Sequence, residues 1–211
     1  MNLSQMNSNN AAFAALKNTC KEEHALILSN RVTHLMKFPY YLQNAINSGD
    51  MSQLGALLSD CCTETVTLQP PNIEEIVGIN EIMNYMYLLY RLYPDLITSY
   101  QPIKRYRRVM FCDGCTDGTM LSLPESSGYE LPPRYDDLRS ESFLSSKQGK
   151  KYLELKALGK PIFIRSYLSL HLILNTEMTH IEKIMYYRKA ILVSDMKDVR
   201  VALTACTSAT V

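Results

Sequence analysis

Apolar positions along the chain alternate between a helical period of about 3.6 and a strand period of 2, and each switch marks an element. From Glu22 to Asn47 the residues Leu35, Phe38, Leu42 and Ala45 recur on one helical stripe, with Pro39 either kinking that helix or starting a second one. The phrase "NSGD" ends it. Gly49 supplies the left-handed position that follows a helix, and Asp50, with Gln53 three residues on, caps the next. That helix is expected over Met51 to Leu58, with Leu54, Leu57 and Leu58 inward. "CTETVTLQPP" then alternates and is rich in β-branched residues, which predicts a strand stopped by Pro70 and Pro71. "GINEIMNYMYLLYRLYPDL" returns to helix: Ile82, Tyr85, Met86, Leu89, Leu92 and Tyr93 share a face, Asn80 caps it and Pro94 ends it. Alternation resumes from Leu96 to Phe111 as one long strand. "FCDGCTDGT", with two Asp-Gly pairs, is expected to turn the chain so that Thr119 to Leu123 returns antiparallel.

Residues 124–159 break this rhythm and are expected to be a polar, Pro-containing insertion in which "SKQGKKYLELKAL" adds a short helix. "KPIFIRSYLSLHLIL", a turn at "NTEMTH" and "IEKIMYYRKAILV" predict two closing strands. The chain is expected to be a flexible lead over 1–21, a single domain over 22–195 carrying the insertion, and a tail over 196–211.

Composition changes this picture little. The 211 residues are 46% hydrophobic and 20% charged with a net charge of +1, so neither nucleic acid nor an anionic membrane is expected as a partner. Apolar runs such as "YLSLHLIL" fall far short of the roughly 20 residues that span a bilayer, and no basic leader precedes the first apolar segment. Six cysteines in a chain able to bury a real core are expected as reduced thiols in a cytoplasmic or nuclear compartment.

Candidate chemistry is sparse. Cys112 and Cys115 have the C-x-x-C spacing but do not open a helix whose dipole would activate a thiol, so they are expected to be structural. A metal site on them needs two more ligands, and adjacent Cys61 and Cys62 would point to opposite faces of a strand; no metal and no cofactor is expected. His24, His34, His171 and His180 form no recognised motif, and His171 is the one to consider as an acid-base group. "KRYRR" at Lys104 to Arg108 splits its charge between both faces of a strand, which gives no basic platform for nucleic acid. "LPPRY" offers Pro132, Pro133 and Tyr135 in the pattern read by WW domains, with a plain loop as the simpler reading. Of 14 tyrosines, Tyr85 is placed to offer a ring and a hydroxyl to a pocket.

"NAINSGDMSQLGALLSDCCTETVTL", "GINEIMNYMYLLYRLYPDL" and "THIEKIMYYR" resemble the first-helix ending, third helix and last strand of the nuclear transport factor 2-like superfamily, in particular its SnoaL-like branch. The resemblance runs from about Leu35 to Ile191. It implies an α+β fold in which a cone-shaped, curved antiparallel sheet wraps around a long helix, a cystatin-like barrel with a pocket inside. It also implies a homodimer through the outer sheet face, here Tyr167, Ser169, His171 and Ile173. The positions where ketosteroid isomerases of that superfamily hold acid-base groups fall at Leu42, Val66 and Leu170, all apolar. The leading expectation is therefore a dimeric protein that binds an apolar small molecule in a pocket of Leu42, Val66, Leu68, Tyr85, Leu168 and Leu170, without catalysis. One alternative is a lyase or isomerase acting on a polyketide-like or terpenoid substrate, using His171, Glu64 or Tyr85. Another is an adaptor resembling the transport factor itself.

Overall fold

The computed structural model describes residues 21–71, 73–120, 138 and 140–195. A helix through residues 21–35 (α1) buries Val32 and Leu35, and after Met36 and Lys37 a second helix, α2 (Phe38–Ser48), begins with Pro39 in its first turn. Proline is tolerated there because the first-turn N–H has no helical acceptor, so Pro39 starts a helix and does not kink one. Gly49 closes α2 at φ 67°, and the Asp50 carboxylate accepts from the N–H groups of Ser52 and Gln53 at 2.9 and 3.0 Å. The helix it caps, α3 (Met51–Cys61), outruns the expected end because Cys61 continues the buried stripe of Leu54 and Leu58. Cys61 and Cys62 therefore do not share a strand. One ends α3 and the other begins β1 (Cys62–Gln69).

A short β2 (Ile76–Val77) leads to α4 (Ile79–Leu92), which buries Ile82, Met86 and Leu92. Its cap is Gly78 at φ 88°, not Asn80, which lies inside the first turn. The segment expected as one strand from Leu96 is broken into β3 (Ile97–Tyr100) and β4 (Lys104–Tyr106). The turn falls at Arg107 and Arg108, with Arg107 at φ 55°, so "KRYRR" is a short exposed edge strand and its hairpin turn.

"FCDGCTDGT" is not a turn. It forms most of β5 (Val109–Met120), paired with β6 (Ile162–Leu174) without a break from Val109–Ile173 to Met120–Ile162. Asp-Gly recurs with a spacing of four residues, two strand periods, so both aspartates face one side and both glycines the other. On the outer side Asp113 accepts from Lys189 at 2.5 Å, and Asp117 takes a two-pronged bond from Arg165 at 2.8 and 2.5 Å. On the inner side a Cβ at Gly114 would lie 2.5 Å from the Tyr100 ring and 2.7 Å from the Ser99 carbonyl oxygen. Glycine serves close approach here, not reversal.

After Ser140 come α5 (Glu141–Leu144) and α6 (Lys147–Ala157), then β6, a turn held by the Asn175 side chain, and β7 (Ile181–Asp195). The sheet runs β2-β1-β7-β6-β5-β3, with β4 also on β5. Its pairs are antiparallel except β1 with β7, which is parallel. The fold is α+β, a curved and unclosed mixed sheet with the helices packed against it. Edge strand β3 is sealed by α2: Asn47 bonds both the N–H and the carbonyl of Thr98, at 2.7 and 2.9 Å, and Gln43 accepts from Tyr100 N–H at 2.9 Å.

The described part of the segment read as an insertion contributes to the core, since Leu138, Phe143, Tyr152 and Leu155 are buried there. Pro132, Pro133 and Tyr135, the lead to residue 20 and the tail from 196 lie outside the described residues. Among the described residues no helix is long and apolar enough to cross a membrane.

Candidate ligand cavity

Alternation along β6 sends Ile162, Ile164, Ser166, Leu168, Leu170, Leu172 and Leu174 to the inner face, and all are buried. Between this face and the helices lies a cavity of about 160 Å³. Its helical wall includes Leu42 and Ile46 of α2, Leu54 and Leu58 of α3, and Tyr85 and Met86 of α4. The sheet contributes Leu68, Thr116, Gly118, Ile164, Ser166 and Leu168.

Of the residues singled out from the sequence, Leu42, Leu68, Tyr85 and Leu168 line this cavity. Val66 and Leu170 do not. Both are wholly buried and seal the core beside the cavity. Glu64 is exposed, because the β1–β7 register slips between Cys62 and Thr67 and breaks the alternation that would have turned it inward. His171 lies on the other side of the sheet. It accepts or donates a 3.1 Å bond with the Ser169 hydroxyl and packs between the rings of Phe111 and Tyr187. Burial holds its imidazole below the usual histidine value. Tyr167, Ser169, His171 and Ile173 share this outer face, where Tyr167 and Tyr187 are exposed.

Among the cavity residues that the sequence reading did not name are Tyr100, Tyr186 and Arg188, which carry its polar chemistry. Tyr100 stands on β3 and Tyr186 on β7, with β5 and β6 between them. In a flat sheet those strands would be about 14 Å apart and the side chains would rise in parallel. Curvature brings their hydroxyls to 3.0 Å. Gly114 clears the path for the Tyr100 ring. Unbroken alternation from Ile184 through Tyr186 carries Arg188 inward opposite Leu168; the bulge follows it, since Tyr167 faces Ala190, so Lys189 is the extra residue and turns outward to Asp113. A glycine inside a strand pattern marks a close approach and, of this set, bears on Tyr100 alone; no local signal joins Tyr186 and Arg188 to it.

Burial raises the pKa of both Tyr100 and Tyr186, so the pair stays protonated and offers hydroxyl donors, not a base. Among the described residues lining the cavity, none is Asp, Glu, His, Lys or Cys, and the charged side chain is Arg188. The wall can solvate one ligand oxygen and exclude water from an apolar body. Among its described residues it presents no proton acceptor that works near neutral pH.

Comparison with family models and with curated proteins finds no match. Solved structures do match. A SnoaL-like polyketide cyclase candidate from Jannaschia sp. CCS1 is 9% identical, with 74% of this chain and 86% of that one covered and a TM-score of 0.47. A nuclear transport factor 2-like protein of unknown function from Exiguobacterium sp. 255-15 is 11% identical, covers 72% and 98%, and has a TM-score of 0.46. An LEH-like epoxide hydrolase from M. tuberculosis is 7% identical, covers 74% and 84%, and has a TM-score of 0.45.

Proposed function

We propose that the chain binds a small apolar molecule in its cavity and orients it through one oxygen, without acid-base catalysis. The observation that carries this reading is the Tyr100–Tyr186 hydroxyl pair at 3.0 Å inside a wall that is otherwise mainly aliphatic and aromatic. Apolar surface supplies the affinity and the polar pair fixes the pose, the usual division of labour in small-molecule sites. Size narrows the ligand. A cavity of about 160 Å³ is close to the roughly 150 Å³ engineered cavity that admits benzene, which favours a single ring over a fused polycycle. Arg188 in the wall favours a carbonyl or carboxylate over an amine.

The rival, a lyase or isomerase, requires a group to take a proton. Tyr85 reaches the cavity, but Glu64 and His171 stand away from it. Binding without proton transfer is the reading that the described wall favours.

The test uses acetophenone and ethylbenzene, which share a ring and a two-carbon side chain and differ by a carbonyl in place of a methylene, with binding to the whole chain followed by ligand-observed NMR. Acetophenone is expected to bind more tightly, and Tyr186→Phe is expected to remove about 2- to 10-fold of its affinity while leaving ethylbenzene unchanged. Equal affinity for both probes, or no competition between them, would overturn the polar anchor. A second copy of the chain on the outer sheet face, around Tyr167, Ser169, His171 and Ile173, completes the proposal.

A further inference from the structure

Away from the cavity, α1 and the end of α3 bring three unlike donors together. His34 Nε2 lies 2.9 Å from Asp60 Oδ2 and 3.8 Å from Cys61 Sγ, and Cys61 Sγ lies 3.4 Å from Asp60 Oδ2. The sequence hides this set, because His34 is 26 and 27 residues from its partners and belongs to another helix.

We infer that His34, Asp60 and Cys61 form a binding site for a single zinc-like divalent ion, outside the ligand cavity. Zinc binds sulfur at about 2.3 Å and nitrogen or oxygen at about 2.0–2.2 Å, so two ligands at a tetrahedral angle sit roughly 3.3–3.6 Å apart. The triangle of 2.9, 3.4 and 3.8 Å is therefore the size of one face of that tetrahedron. An ion seated on it leaves the fourth position toward solvent, where His34 and Asp60 are 40% and 57% exposed. The donor types agree: one thiolate, one imidazole and one carboxylate match a borderline-soft ion and would hold magnesium or calcium poorly.

Neighbouring groups are set as supports. Arg31 binds the other carboxylate oxygen of Asp60 at 3.4 Å, donates to the Asp60 carbonyl, and donates to the Thr179 carbonyl at 2.8 Å. It leaves Oδ2 to face the imidazole and fixes the carboxylate as an outer-shell partner would. Charge is tolerable: Asp60 against Arg31 leaves the empty site neutral while the Cys61 thiol donates a hydrogen bond to Asp60, and a Cys61 thiolate formed on binding offsets one of the two charges of the dication. Cys61 loses its proton to solvent on binding, and that proton is the one released. The ion would join α1 to the α3–β1 junction, so metal and folding are linked.

Cobalt(II) is the probe, added to the reduced full-length chain. One equivalent is expected to give the near-ultraviolet thiolate-to-cobalt charge-transfer band and the intense visible bands of a four-coordinate site, both abolished by one equivalent of zinc. Cys61→Ser should lose the charge-transfer band, and Cys62→Ser should keep it. His34→Gln, at a partly exposed position that leaves the core intact, should weaken cobalt binding at least about tenfold and reduce the rise in Tm that zinc produces. No charge-transfer band at one equivalent, a band that survives Cys61→Ser, or a His34→Gln affinity equal to the parent's would each overturn the site.

Discussion

Gly114 shows how much the absence of one methyl group decides. Its place in the middle of β5 is shared with Tyr100 on one side and Leu168 on the other, and an added Cβ would collide with the Tyr100 ring and with backbone. Backbone cannot yield as a flexible side chain does, so Gly114→Ala is expected to destabilise the chain by about 1–3 kcal/mol, read as a lower denaturant midpoint at unchanged slope. Gly118→Ala meets Tyr93 at 3.1 Å and should cost less. The same residues explain the largest error of the sequence reading. Asp-Gly marks a turn when the chain must reverse, and local sequence holds nothing to distinguish that from aspartates facing out and glycines facing in. The deciding partners, Lys189 for Asp113 and Arg165 for Asp117, lie 76 and 48 residues away.

Elements were legible where their signals are local. The α2–α3 link is the clearest case, since Gly49 and the Asp50 cap act within a few residues of themselves. Asp50→Ala removes the acceptor of two N–H groups and is expected to cost about 1 kcal/mol, measurable as a fall in Tm. The start of α4 was misplaced because Gly78 caps it through φ 88° and not through a side chain. Glu64 points to solvent for a related reason: strand parity predicts facing only while register holds, and β1 slips against β7. The break between β3 and β4 likewise follows from pairing to different stretches of β5, which no period in β3 or β4 records.

At the scale of the whole molecule, periodicity located the elements, and the family resemblance is what put Leu42, Leu68 and Leu168 at the pocket they line. Curvature could not be read in this way. It alone joins Tyr100 to Tyr186 across two intervening strands, so the polar corner of the cavity was invisible to any window along the chain. The outer face carries the remaining proposal. Sedimentation equilibrium at micromolar concentration is expected to give twice the 24.1 kDa of one chain, and Tyr167→Glu to shift the species to a monomer. A parent chain that sediments as a monomer would remove that interface.

The unbroken alternation of Ile184, Tyr186 and Arg188 on β7 sets what length changes the chain can accept. Inserting or deleting one amino acid between Ile184 and Arg188 would rotate the side chains that follow by half a turn, carrying the guanidinium of Arg188 out to bulk water. The loop at 175–180 lies outside that alternation and is held instead by its own Asn175 bonds and by the Arg31 bond to the Thr179 carbonyl. Related sequences should thus keep a fixed residue count from Ile184 to Arg188.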